Sequence, residues 1–253
     1  MKTNLALKPL LIGAGRLETE NGVTRLALAG ARRAAYSNAQ LDDYAGLPRR
    51  RFPWRPPLRL SVRARFSHPA KQLKGTAGFG FWNNPIPPGM RGLPRLPRAV
   101  WFFFSSPPSN MALALDAPGH GWKAAAFNAM QPAFYALAPF APAGFLLMRI
   151  PALHRALWPL AQRAIGVSEA ALRVDMAGWH TYTLEWWPKR ARFLVDGAHV
   201  HTTPAAPPGP LGFVAWLDNQ YAVVTPQGRF GFGFLDSPDA QWLALESMWI
   251  EKL

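Results

Sequence analysis

The stretch from Trp179 to Thr202 limits most sharply what this chain can fold into. His180, Tyr182, Leu184 and Trp186 alternate with Trp179, Thr181, Thr183 and Glu185, the two-residue period of a half-buried strand. Pro188 ends that strand, because proline brings no N–H to a ladder. Asp196-Gly197 then makes a two-residue hairpin, since both turn positions need positive φ and glycine adopts it without strain. The pattern predicts three short antiparallel strands in succession. It also predicts that Phe193, Val195, Ala198 and Val200 share one face, with Arg192, His199 and His201 on the other.

The same period recurs along the chain. Leu58, Leu60, Val62, Ala64 and Phe66 alternate with Arg59, Ser61, Arg63 and Arg65. Val23 to Leu28, Leu211 to Tyr221 and Trp242 to Glu251 read as further strands, and Met111 to Asp116 as a neighbour of Ala99–Ser106. With 13% aromatic residues and frequent Gly and Pro in 253 residues, these runs imply an all-β class and a single sandwich domain over 1–253. Two strands interleave Phe with Gly: Thr76 to Trp82 and Phe230 to Phe234. Phenylalanines inward and glycines outward would give a flat floor, open to a ligand or to a covering helix.

Residues 117–168 contain no Asp or Glu, and Ala124 to Met148 carry no charge at all. That run is long enough for a bilayer, yet Pro132, Pro139, Pro142 and Gly144 cut it into pieces of about two turns. From Ile150 to Ile165, Leu153, Leu157 and Leu160 recur at helical spacing with Arg149, Arg155 and Arg163 outside them. The expectation is a broken, hydrophobic helical insertion over 117–168. It serves as a lid, as a membrane contact through an apolar face with basic flanks, or as an extra packing layer.

The organising stretch resembles the family 16 glycoside hydrolases, the laminarinase and lichenase group. Their aromatic-His-Thr-Tyr-x-x-x-Trp strand, proline and Phe-x-Val-Asp-Gly hairpin match Trp179–Trp186, Pro188 and Phe193–Gly197. The resemblance runs more weakly from Leu58 onward and implies the concanavalin A-like jelly-roll β-sandwich. Hydrolases of this group place two carboxylates on one strand, as Glu-x-Asp-x-x-Glu or Glu-x-Asp-x-Glu, so that both reach the cleft. The equivalent strand here, Arg98 to Ser106, has none. The resemblance therefore implies the fold and a cleft, and not family-type hydrolysis. Some members carry a structural calcium; no other cofactor and no metal site are expected.

By that resemblance, Trp82 and the Trp216–Asp218 pair sit on cleft strands, with Asn83, Asn219 and Gln220 beside them. A tryptophan face next to amides and a carboxylate suits a sugar. Trp101 and Phe103 stand where the carboxylates would be and form an apolar wall. Three readings follow: a non-hydrolytic binder of a glycan in the concave cleft, an enzyme or binder for an apolar small molecule under the insertion, and a peripheral membrane protein. Acid–base chemistry would fall to Asp42, Asp43, His180, Glu185 or Asp218, if the lid raised a carboxylate pKa. His199 and His201 alternate and would bind a metal only with a third ligand.

The formal charge is +14, from 28 Lys plus Arg against 14 Asp plus Glu. Only Arg49-Arg50-Arg51 forms a tight basic run, and no nucleic-acid motif accompanies it, so no specific nucleic acid is expected as partner. The absence of cysteine excludes disulfides and thiolate chemistry. Lys8 and Pro9 interrupt the apolar N-terminal run, which therefore reads as a mature terminus on a cytoplasmic, membrane-associable protein.

Overall fold

The computed structural model describes residues 2–3, 5–85 and 95–253. Trp179–Thr202 forms the three strands that its alternation predicts: β11 (His180–Trp187), β12 (Arg190–Val195) and β13 (Ala198–Thr203). The turn residues Asp196 and Gly197 take φ of 50° and 79°, as the two-residue hairpin requires. Inward from this hairpin the outer sheet continues through β6 (Leu58–Phe66), β17 (Gln241–Lys252), β4 (Val23–Leu28) and β3 (Gly15–Glu20), and β1 (Lys2–Thr3) adds to β17.

A second antiparallel sheet faces it. Its order is β10 (Val167–Ala171), β9 (Gly121–Asn128), β8 (Arg98–Ser105), β7 (Thr76–Trp82), β14 (Gly212–Asp218), β5 (Asn38–Asp42) and β2 (Lys8–Ile12). The core lies between the sheets, where Phe79, Phe81, Phe102, Phe104, Tyr182, Trp186 and Phe193 are fully buried. Their rings meet largely edge to face, for example Phe102 on Phe193 at 5.3 Å and 88°. Each such ring stabilises the sandwich by about 1.5–3 kcal/mol.

Four expectations need correction. The helical insertion is shorter than 117–168: α1 (Pro132–Leu137), a 3₁₀ turn, α2 (Ala141–Leu147) and α3 (Pro151–Ala164) hold the helices, while 121–128 and 167–171 are strands. Trp122 to Ala126 is buried on both faces, and periodicity alone does not separate such a strand from a buried helix. Pro132, Pro139 and Pro142 do act as breaks, each sitting in the first turn of a new helical piece, whereas Pro159 lies inside α3. Met111–Asp116 is not a strand, because β7 and β9 occupy both edges of β8.

The histidines of β13 are the third case. A bulge sets Phe193 opposite His201 and Leu194 opposite His199. The extra residue rotates the strand, so the two imidazoles face opposite sides. His201 stacks on Phe193 and bonds Ser168, while His199 bonds Thr202. Fourth, Phe230–Phe234 forms strand β16 of a separate hairpin with β15 (Gln220–Val224), not part of a floor.

Candidate functional site

The outward face of the second sheet is built by register. Trp216 stands opposite Gln40 of β5 and Gly78 of β7, and Gly78 stands opposite Phe103 of β8. Gly80 lies opposite Trp101 in the same way. A side chain at Gly80 would press on Trp101, whose Cα would be 2.6 Å from the new Cβ. Gly78 makes room for the Trp216 ring, whose Cη2 would lie 2.9 Å from a Cβ, and Gly80 lets the β8 backbone at Trp101 come close. Trp82, Trp101, Phe103 and Trp216 pack together on this face: Trp101 stacks on Phe103 at 5.3 Å, and Trp82 lies parallel to Trp216 at 6.4 Å.

Polar groups of this face bond to one another. Trp216 Nε1 donates to Thr76 Oγ1 at 3.0 Å, and that hydroxyl donates to Asp218 Oδ1 at 2.8 Å. The Thr76 and Gln220 N–H groups and the Tyr36 hydroxyl also donate to Asp218. Burial pushes the Asp218 carboxyl up to about 7 in spite of these donors. Asn219 is buried; its Nδ2 donates to the carbonyls of Arg32, Ala35 and Leu235, and its Oδ1 accepts from Ser37 N–H. Asn83 likewise links Leu96 and Arg98. Gln220, at the start of the hairpin, is half-buried.

Among the acid–base candidates, Asp42 and Asp218 share this face on the neighbouring strands β5 and β14, with the Gln40–Trp216 pair between them. Asp42 caps the turn that follows, accepting from the N–H groups of Tyr44 and Ala45. Asp43 accepts from Trp54 Nε1 and Phe213 N–H, and burial raises its carboxyl to about 6. Glu185 lies across the sandwich on the outer sheet, ion-paired to Arg59 at 2.7 Å. His180 pairs with Asp196 at 2.6 Å at the sandwich margin. The fold thus separates Glu185 and His180 from the cleft carboxylates. Among the described residues no group of three His, Asp or Glu side chains is placed to hold a metal ion.

No family model matches the chain, and no curated protein does. Solved structures do. A prokaryotic β-1,3-1,4-glucanase (lichenase) from a mouse hindgut metagenome superposes at a TM-score of 0.50 and 12% identity, over 94% of this chain and 83% of that one. A legume lectin-like domain from Entamoeba histolytica superposes at 0.51 and 6% identity, over 98% and 90%. The Emp47p carbohydrate recognition domain matches at 0.50 and 10%, over 100% and 90%. The fold is the concanavalin A-like jelly roll. Proteins with this jelly roll include carbohydrate-recognition domains and glucanases; at these identities the likeness reaches the fold and no further.

On this concanavalin A-like frame the chain carries two features that sequence reasoning missed. One is an ion pair between Lys123 of β9 and Glu169 of β10, 3.1 Å apart and fully buried. Burial raises the Glu169 carboxyl and Lys123 opposes it. The only sequence signal was a lone lysine inside the apolar run Trp122–Phe127. The other is a cavity of about 470 Å³ between the helical insertion and the β15–β16 hairpin. Phe134, Phe145, Met148, Trp158, Val224 and Phe230 line it, no lining residue is charged, and Thr225 is the single polar side chain. Contacts between Phe145 and Phe230 and from Arg149 to the Gln227 carbonyl tie insertion to hairpin.

Proposed function

We propose that the protein binds an apolar small molecule in the cavity between its helical insertion and the β15–β16 hairpin. The observation that carries this reading is the lining: sixteen residues, none charged, around about 470 Å³. A space of that size and character suits a hydrocarbon or ring system, whose transfer from water contributes about 25 cal/mol per Å². The glycan reading of the cleft has less behind it. A sugar needs an exposed ring and free hydrogen-bonding groups, whereas Trp216, Asp218 and Asn219 are buried and bonded within the chain.

The test is to purify the protein from its native source, extract it with organic solvent and identify the extract by mass spectrometry, in parallel with Gly144→Phe. Gly144 lines the cavity, and a Cβ there meets nothing within 4 Å, so a side chain can start from this position without a clash at its root. A stoichiometric apolar compound, lost in Gly144→Phe, is expected. An empty wild-type extract, or an equal load in the variant, would overturn the reading.

A second reading, docking on a lipid surface, has one specific observation in its favour. Phe140, Leu146, Ile150, Leu160, Phe230 and Phe232 are exposed on the insertion and hairpin, with Arg149, Arg155, Arg163 and Arg229 also exposed there. Apolar residues ringed by cations suit an anionic bilayer interface. Among the described residues no helix is long and apolar enough to cross a membrane. Co-sedimentation with anionic but not zwitterionic vesicles is expected, and equal recovery with both would remove this reading.

A further inference from the structure

A recess of opposite character lies at the start of the insertion. Arg49, Arg50, Arg95 and Arg98 converge with Asn83 and Met130 around about 520 Å³. None of the four arginines forms an ion pair among the described residues. The sequence explains why: no Asp or Glu occurs between Asp43 and Asp116. Four cations are thus gathered with no ion-pair partner among the described residues.

Two of the four are held in place by the backbone. Arg49 Nε donates to the carbonyls of Asn83 and Asn84 at 3.0 and 3.1 Å, and its Nη2 donates to Asn84 at 2.6 Å and Pro85 at 3.2 Å. The Arg98 N–H donates to Asn83 Oδ1 at 3.0 Å, and Arg98 Nη1 donates to the Pro208 carbonyl at 3.3 Å. Arg98 Nε is buried with no hydrogen-bond partner among the described residues. A buried guanidinium donor left unpaired is costly, and negative charge in the adjoining recess would offset part of that cost. Arg50 and Arg95 are exposed at the rim.

We propose that this recess binds a phosphate group, either free or as the headgroup of a larger molecule. Guanidinium forks match the oxygens of such a group two at a time. A phosphate monoester carries nearly two negative charges and several acceptor oxygens, so it neutralises a four-arginine recess better than a carboxylate does. Burial, and then the Arg95 guanidinium, holds the pKa of both Arg49 and Arg98 below the ordinary arginine range. That crowding of like charges is what a bound dianion relieves. The site stands on the arginine recess alone and does not depend on a ligand in the apolar cavity.

The experiment is calorimetric titration of the full chain with inorganic phosphate and with dodecyl phosphate, against sodium chloride at matched ionic strength. The variants are Arg50→Gln/Arg95→Gln and Arg98→Gln. The double variant changes only exposed side chains and leaves the backbone-held Arg49 and Arg98 intact, so it remains folded. Saturable phosphate binding is expected, weakened about tenfold or more in the double variant and lost in Arg98→Gln. If dodecyl phosphate binds no tighter than inorganic phosphate, the site takes free phosphate. If it binds far tighter, the site takes the headgroup of an amphiphile. No heat beyond the chloride control, or equal affinity in wild type and double variant, would overturn the proposal.

Discussion

Thr76–Trp82 and Phe230–Phe234 carry the same alternation of phenylalanine and glycine, and the molecule uses it in opposite ways. In β7, Phe79 and Phe81 are 0% exposed, and on the opposite face Gly78 makes room for the Trp216 ring and Gly80 for the backbone at Trp101. In β16, Phe230 and Phe232 are 64% and 63% exposed, and Gly231 meets only the Val223 side chain. The difference lies in the neighbours. β7 lies between β8 and β14; its inner face packs on the outer sheet, Phe79 against Tyr182 and Phe81 against Trp186, and its outer face is covered by Trp101 and Trp216 of its two neighbours. β16 has one partner, β15, and a two-stranded ribbon has no second layer of its own. Alternation thus assigns residues to faces; what covers a face is decided by the rest of the chain.

Substitutions at matched positions sharpen this contrast. Phe79→Ala should destabilise the protein by about 3–5 kcal/mol, since it opens a void in a closed core; a loss of unfolding free energy in urea of less than about a quarter of that would break the comparison. Gly80→Ala should cost about 3 kcal/mol or more, because the new Cβ would lie 2.6 Å from Trp101 Cα and Val100 O, which are backbone atoms. Thermal unfolding of that variant beside Gly231→Ala is the direct measurement. At Gly231 the nearest atom is Val223 Cβ at 3.4 Å, and the change should stay within about 0.5 kcal/mol.

An intermediate effect concerns the carboxyl at the end of the buried strand. Asp218 pairs with Thr76 in the ladder, and its pKa rises from 3.8 to about 7. Between those values the unfolded carboxyl has released a proton that the native one keeps. Stability therefore falls as pH rises through this window, by at most about 1.4 kcal/mol per pH unit. Denaturation midpoints followed across that range should show the decline in the wild type and a flatter profile in Asp218→Asn. The smallest effect belongs to the exposed ribbon: Phe232→Ser should leave stability within about 0.5 kcal/mol and should lower vesicle binding if the ribbon meets lipid.

The contrast also marks where sequence could be read. His180–Thr203 was legible because strand period, proline stop and Asp-Gly turn agree at one place. The bulge in β13 was not, since an extra residue leaves no trace in His-Val-His, and it turned His199 and His201 apart. Ala124–Asn128 misled because an apolar run buried on both faces has no period to read. At the candidate site, the strands carrying Trp82, Trp101, Phe103 and Trp216 were foreseeable. The bonding of Asp218 and Asn219 was not, because their partners Tyr36, Thr76, Arg32 and Leu235 are brought to them only by the fold. The arginine recess was half visible, in Arg49-Arg50-Arg51 and in the long absence of acids that follows Asp43.

The position of β17 has a consequence for how the protein comes into being. It lies between β6 and β4, so two groups of outer strands meet only through a strand synthesised after all the others. Until Gln241–Lys252 emerges, β6 and β4 each present an open edge with unpaired N–H and C=O groups. A nascent chain therefore carries two open edges until β17 is made, and closure of the outer sheet waits on a long-range docking event that is slow in β topologies. Cells making this protein quickly would need holdase capacity in proportion to its rate of translation.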